Sequence, residues 1–245
     1  MSTDFSNIGF DVNSEEDVFN LALNNQEKLK YFEFPPLMYA ILELDRNSWL
    51  FYYGDEEGLD ATSCEIVYKN RHITEGKNWG WINKSQAEMH GMIQIFCEGD
   101  ISFPLNVAIP DAFSFTDCDL GDKIQINMTL FAQEMDVYEN FEAYQQASDE
   151  PKLDGCIPFG TFPLPGHEDE FEPSANALMS GRVLAVEERT NEYTGNKYLF
   201  ITFDCAGHVF DIVADPEFAP NGIKEDYFIH GSFWISGLLH HNKVN

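Results

Sequence analysis

The chain has 245 residues, enough for one large domain or two modest ones, and its 44% hydrophobic and 14% aromatic content supplies a full core and argues against wholesale disorder. Forty-two acids against 14 bases give a net charge of −28, a field that repels phosphate backbones and anionic lipid surfaces. Nucleic acid and membrane are therefore not expected as partners, whereas a basic protein is.

The five cysteines, Cys64, Cys97, Cys118, Cys156 and Cys205, are odd in number and nowhere at CxxC spacing, which predicts free thiols in a reducing compartment. The first residues, "MSTDFSNIGFDVNSEED", lack a basic region followed by an apolar one, so no secretory signal is expected. No run reaches the roughly 18 apolar residues of a membrane span. Together these features predict a cytoplasmic location.

In chain order, "NSEEDVFNLALNNQEKLKYF" predicts an amphipathic helix with Ser14 as N-cap, Glu15, Glu16 and Asp17 in its first turn, and an apolar face of Val18, Leu21, Ala22 and Leu29. Pro35 and Pro36 end it. "LMYAILELDRNSWLFYY" predicts a hairpin turning at Asp45, Arg46 and Asn47, and short strand-like runs follow at "CEIVYKN", "GWI", "GMIQIFCE" and "SFPLNVAIP". In "DKIQINMTLFAQ", Ile124, Ile126, Met128 and Leu130 alternate with Gln125, Asn127 and Thr129, the period of a strand with one buried face. "DCDLGDK" just before it reads as an acidic turn, and "YENFEAYQQA" as a short helix.

Residues 148–173 hold five of the 11 prolines and an acidic run, the composition of a linker or extended strap. Beyond it, "SGRVLAVEERTNEYTGNKYLFITFDC", "HVFDIVADPEF" and "DYFIHGSFWISGLL" predict an all-β group. The expected organisation is an N-terminal α+β unit over 1–147, the strap over 148–173 and a C-terminal all-β unit over 174–245. The expected fold class is mostly β (α+β), an N-terminal helix with antiparallel sheets and a C-terminal small barrel or sandwich. In strand spacing, residues 178–240 resemble the start of an OB-type barrel, which implies an OB-like C-terminal unit. A faint internal repeat accompanies this: "FPLNVAIPDAF" and "HVFDIVADPEF" share Val-Ala-x-Pro-acid, with Val107 matching Val213 and Pro110 matching Pro216.

The sequence offers little recognisable chemistry. There is no GxSxG, Walker loop, GxGxxG or HExxH. Measured against an EF-hand that begins at Asp117, Gly121 falls at position 5 and Met128 at position 12, so the calcium pattern fails. His240 and His241 are adjacent rather than four apart, and Cys205 with His208 has no second close pair, so no zinc site, other metal or cofactor is expected. Tyr198, Phe200 and Phe203 can be read as a base-stacking platform or as core, and the acidic surroundings favour core.

Charge is the remaining signal. Residues 91–147 carry ten acids against one base, Lys123. The expected function is a non-enzymatic acidic protein-binding module, of inhibitor or immunity type, that docks a basic partner. Its expected binding residues are Asp117, Asp119 and Asp122, then Glu168, Asp169 and Glu170, with no catalytic residue assigned. The alternatives are an enzyme with an unrecognised carboxylate or metal-dependent site and an intracellular scaffold module.

Overall fold

The structure is a computed structural model that describes residues 3–12, 14–34, 37–44, 46–55, 58–70, 72–82, 91–99, 101–112, 119–147, 152–163, 166 and 171–240. It is mostly β. A four-stranded antiparallel sheet holds β1 (Lys30–Phe34), β2 (Leu37–Glu43), β3 (Ser48–Asp55) and β4 (Gly58–Tyr68). A nine-stranded sheet holds β5 (Thr74–Ile82), β6 (Gly91–Cys97), β7 (Phe103–Ile109), β8 (Lys123–Tyr138), β9 (Cys156–Pro158), β10 (Asn176–Thr190), β11 (Lys197–Cys205), β12 (His208–Ala214) and β13 (Phe228–Leu239).

The larger sheet curls back on itself around β8 and β13, which pair antiparallel from Phe228 opposite Tyr138 to Leu239 opposite Ile126. On one side β10, β11 and β12 form a meander whose first strand pairs with β13 and whose last runs parallel to β8, closing a ring of pairings. On the other side β5, β6 and β7 form a second meander. Its first strand pairs with β8 and its last meets β13 in parallel at Ala108 opposite Ser236. The two halves thus repeat one plan, a meander followed by a long strand that closes its partner's ring. Val107 and Val213 of the internal repeat lie on the corresponding strands β7 and β12. The segments 1–147 and 174–245 each contribute strands to both rings, and their apolar side chains share one core, with Ile93, Leu105, Ile126 and Leu130 alongside Met179, Ile201, Ile212 and Ile235.

The second apolar layer lies between the rings and the four-stranded sheet. Phe131, Tyr198, Phe200 and Val213 on the outer barrel face meet Leu42, Leu50, Tyr52, Ile66 and Tyr68 of the small sheet, with Phe5, Ile8 and Phe10 of the N-terminal segment. This layer explains a departure from the alternation read in β8. Asn127 and Thr129, expected to face water, are buried. They act as hydrogen-bonding anchors for the chain leaving β4: Asn127 donates to the carbonyls of Asn70 (3.0 Å) and His72 (2.9 Å), and Thr129 to that of Tyr68 (2.8 Å).

The helix near the amino terminus, α1 (Glu15–Leu23), begins at the Ser14 N-cap, whose hydroxyl accepts the Asp17 N–H at 3.2 Å. It buries Val18 and Ala22. It is shorter than the apolar periodicity suggests. Asn25 donates to the Leu21 carbonyl at 2.8 Å, a local side-chain bond that competes with helix continuation, and the chain passes through a 3₁₀ turn into β1. Helix α2 (Phe141–Gln146) follows β8 with Asn140 as its cap.

Candidate functional site

The pairing of β5 with β6 shifts register between Asn78 and Gly80, which makes Trp79 the extra residue of a β-bulge. Bulges re-aim side chains, and Gly80, at φ +134°, takes a backbone conformation that side-chain-bearing residues rarely adopt. Asn78 is buried while Trp79 is 41% exposed. Trp79 stacks on Phe96 of β6, with ring centroids 4.6 Å apart and planes 10° from parallel, and Phe162 of the strap meets its edge at 6.3 Å. Phe162 is 58% exposed and Leu120, which lies against Gly80, is 75% exposed. These four side chains form an outward aromatic and aliphatic patch on a rigid sheet.

Asn78 also builds the acidic border of that patch. Its side chain donates to the Asp119 carbonyl at 3.0 Å, its N–H donates to the Asp122 carbonyl at 2.8 Å, and its carbonyl accepts the Gly121 N–H at 2.7 Å. The Asp122 carboxylate accepts the Asp119 N–H at 2.9 Å. The turn is therefore fixed from within and from β5, with both carboxylates exposed. Of the residues expected to bind a partner, Asp119 and Asp122 sit here; Asp117, Glu168, Asp169 and Glu170 lie outside the described residues. Beside them, Lys77 pairs with Glu98, and Lys123 lies opposite Lys77 in register, so the border is mixed in sign on its sheet side.

The strap is tied down next to the patch. Asn106 of β7 donates to the carbonyls of Gly160 (2.8 Å) and Ser174 (3.0 Å), and Gln94 of β6 donates to that of Thr161 (3.0 Å). Phe162 thus joins the surface by anchored backbone. The composition of "GKNWGWI" fits this arrangement, since Asn and glycine inside a strand mark a bulge, whereas nothing in the sequence joins Trp79 to Phe162.

Two histidines have partners that bear on catalysis. Buried Asp211 of β12 accepts from His72 Nδ1 at 2.6 Å and from the Thr202 hydroxyl at 2.7 Å. A buried carboxylate holding a half-exposed imidazole in one tautomer is an orienting device for proton transfer, but the third member, Thr202, lies behind the carboxylate, away from the exposed end of the ring. His230 Nδ1 is 2.7 Å from the Ser180 hydroxyl, on neighbouring strands, and burial pushes this imidazole below its ordinary pKa, with Asp136 opposing the shift. Ser180 is fully buried, which withholds it from any substrate. Among the described residues no three of His, Cys, Asp and Glu gather to hold a metal. Tyr198 and Phe200 are buried under Tyr68 and the N-terminal segment, and Phe203 lies inside the rings, so none of them offers a stacking surface.

No helix among the described residues is long and apolar enough to cross a membrane. No protein-family model matches the chain, and no curated protein matches it significantly.

Proposed function

We propose that the protein is a non-enzymatic, cytoplasmic binding module that docks a basic protein partner, in the manner of an inhibitor or immunity protein. The observation that carries this reading is the exposed stack of Trp79 on Phe96, flanked by Phe162 and Leu120 and bordered by the Asp119 and Asp122 carboxylates. Binding hot spots are enriched in tryptophan, and an acidic border beside an apolar centre steers and orients a cationic partner. Because Asn78 and the strap contacts fix the patch in advance, little ordering entropy opposes association. The ring of β10, β11, β12, β8 and β13 supports an OB-like reading of the C-terminal half, with β8 as its lent strand.

The test is capture from native extract at low salt on immobilised protein, compared with Trp79→Ala and with the Asp119→Lys, Asp122→Lys pair. A basic protein retained at one-to-one stoichiometry, weakened roughly 30-fold by Trp79→Ala and released by charge reversal or salt, supports the reading. Equal retention by all three proteins, or no specific retention, refutes it. If the captured partner is an enzyme, its activity falls to zero at one equivalent of the protein.

A further inference from the structure

A cleft of about 430 Å³ opens where the hairpin turn between β2 and β3, the end of β4 and the end of β10 converge. It gathers Arg46, Lys69 and Arg189, three of the chain's 14 lysines and arginines, in a molecule of net charge −28. We propose that this cleft is a binding site for a small phosphate-bearing ligand, independent of the aromatic patch and of the partner it docks.

Arg189 is the built part of the site. Its guanidinium carbon lies over Phe200, 3.6 Å from the ring centroid, and its Nη1 donates to the Tyr68 hydroxyl at 2.6 Å. Its Nε and Nη2 donate to one oxygen of Glu187 at 2.9 and 2.5 Å. Of the five N–H groups of a guanidinium, these bonds use three and leave two without a protein acceptor among the described residues. The side chain is only 18% exposed, so the two donors are held in place at the cleft and partly desolvated. A planar pair of donors on a fixed guanidinium suits a phosphate oxygen pair.

The chain at Lys69 and Asn70 is tied down as well. Lys69 sits over the Trp49 ring at 5.3 Å, its N–H donates to the Asn47 carbonyl at 2.7 Å, and the Asn47 side-chain N–H₂ donates to the Lys69 carbonyl at 2.6 Å. Asn70 is locked by Asn127 and Thr129. Glu187 and Glu192 also line the cleft, so its described lining residues balance at one positive charge. That balance selects a small anion. A long polyanion would meet the field of the whole molecule, whereas a single phosphate group held at Arg189 meets chiefly the charges of the cleft wall.

The probes are inorganic phosphate and pyrophosphate, titrated by calorimetry into the full chain with sodium chloride at matched ionic strength as control. Saturable binding of pyrophosphate is expected, weakened at least tenfold by Arg189→Gln and at least fivefold by the rim pair Arg46→Gln, Lys69→Gln. The rim pair leaves the Phe200 and Tyr68 contacts intact and so keeps the test valid if Arg189→Gln fails to fold. Arg182→Gln, an exposed arginine paired with Asp226 elsewhere, is expected to bind as the parent does. A response no greater than that to chloride, unchanged binding by the rim pair, or an equal loss in Arg182→Gln would overturn the proposal. Trp79→Ala is expected to leave pyrophosphate binding unchanged, which separates this site from the partner surface.

Discussion

Replacing Asp111 with asparagine should stabilise the protein, and by an amount that grows with pH. Asp111 follows β7 beside Tyr53, whose hydroxyl donates to the Pro110 carbonyl at 3.0 Å, and its buried Oδ1 has no hydrogen-bond partner. Burial raises its carboxyl from 3.8 to about 6, against a backbone hydrogen bond that lowers it. Its folded pKa thus lies above its unfolded one, so the folded state binds the proton more tightly. Stability from this group is full below pH 3.8 and is lost as pH rises through about 6. Above that range the folded state carries an ionised, poorly solvated carboxylate. Two pKa units correspond to about 3 kcal/mol at pH 8, and the same relation gives about 1.6 kcal/mol at pH 5. Asp111→Asn abolishes the titration, so its stability advantage over the parent should widen by about 1.4 kcal/mol from pH 5 to pH 8. Comparing the two pH values cancels any fixed difference in packing between the side chains. Urea unfolding of both proteins at each pH measures this, and pH 5 stays clear of the isoelectric point near 4.3. An advantage that is the same at both pH values, or one that shrinks as pH rises, would refute the burial argument.

Asn78→Ala removes the side-chain bonds to the Asp119 carbonyl and the Gly80 N–H, and should cost about 1–3 kcal/mol in urea unfolding. Gly231→Ala should cost about 1–3 kcal/mol, visible as a lowered Tm, because a Cβ there would stand 2.2 Å from the Glu134 carbonyl oxygen of the neighbouring strand. Burial pushes the Cys97 and Cys205 thiols to about 12 and raises Cys64 and Cys156 as well. At pH 8 a thiol at that level is thiolate in roughly one molecule in ten thousand, so Ellman's reagent should label these four slowly in the folded protein and quickly in urea.

The sequence was most informative where one local rule governed a segment. The hairpin of β2 and β3 and the run of β8 both follow from periodicity and turn residues within a few positions. The pattern is ambiguous where a second layer covers a face that it presents as polar. Asn127 and Thr129 carry the same alternation whether they meet water or the chain leaving β4, so sequence alone could not distinguish the two. Helix α1 stops short of its local pattern: Glu, Lys and Leu after Asn25 suit a helix, whereas β1 forms through pairing with β2. At the candidate site, Asp119 and Asp122 drew attention by charge, but Trp79 acquires its role from a bulge defined only against β6. Dependence on distant partners is stronger still for Arg189, whose setting comes from Tyr68, more than a hundred residues earlier.

The exchange of long strands between the two rings bears on how the chain reaches this state. β8 ends at Tyr138 and β13 begins at Phe228, so neither ring can close until segments some ninety residues apart in sequence have met. Pairings of such separation pay their loop-closure entropy before any packing rewards it, which places the protein among slow folders. Before closure, the outer edges of β7 and β12 lack their parallel neighbours, and two sets of backbone hydrogen-bonding groups stay unpaired. At a net charge of −28, mutual repulsion opposes contact between half-assembled chains while the last strand finds its place.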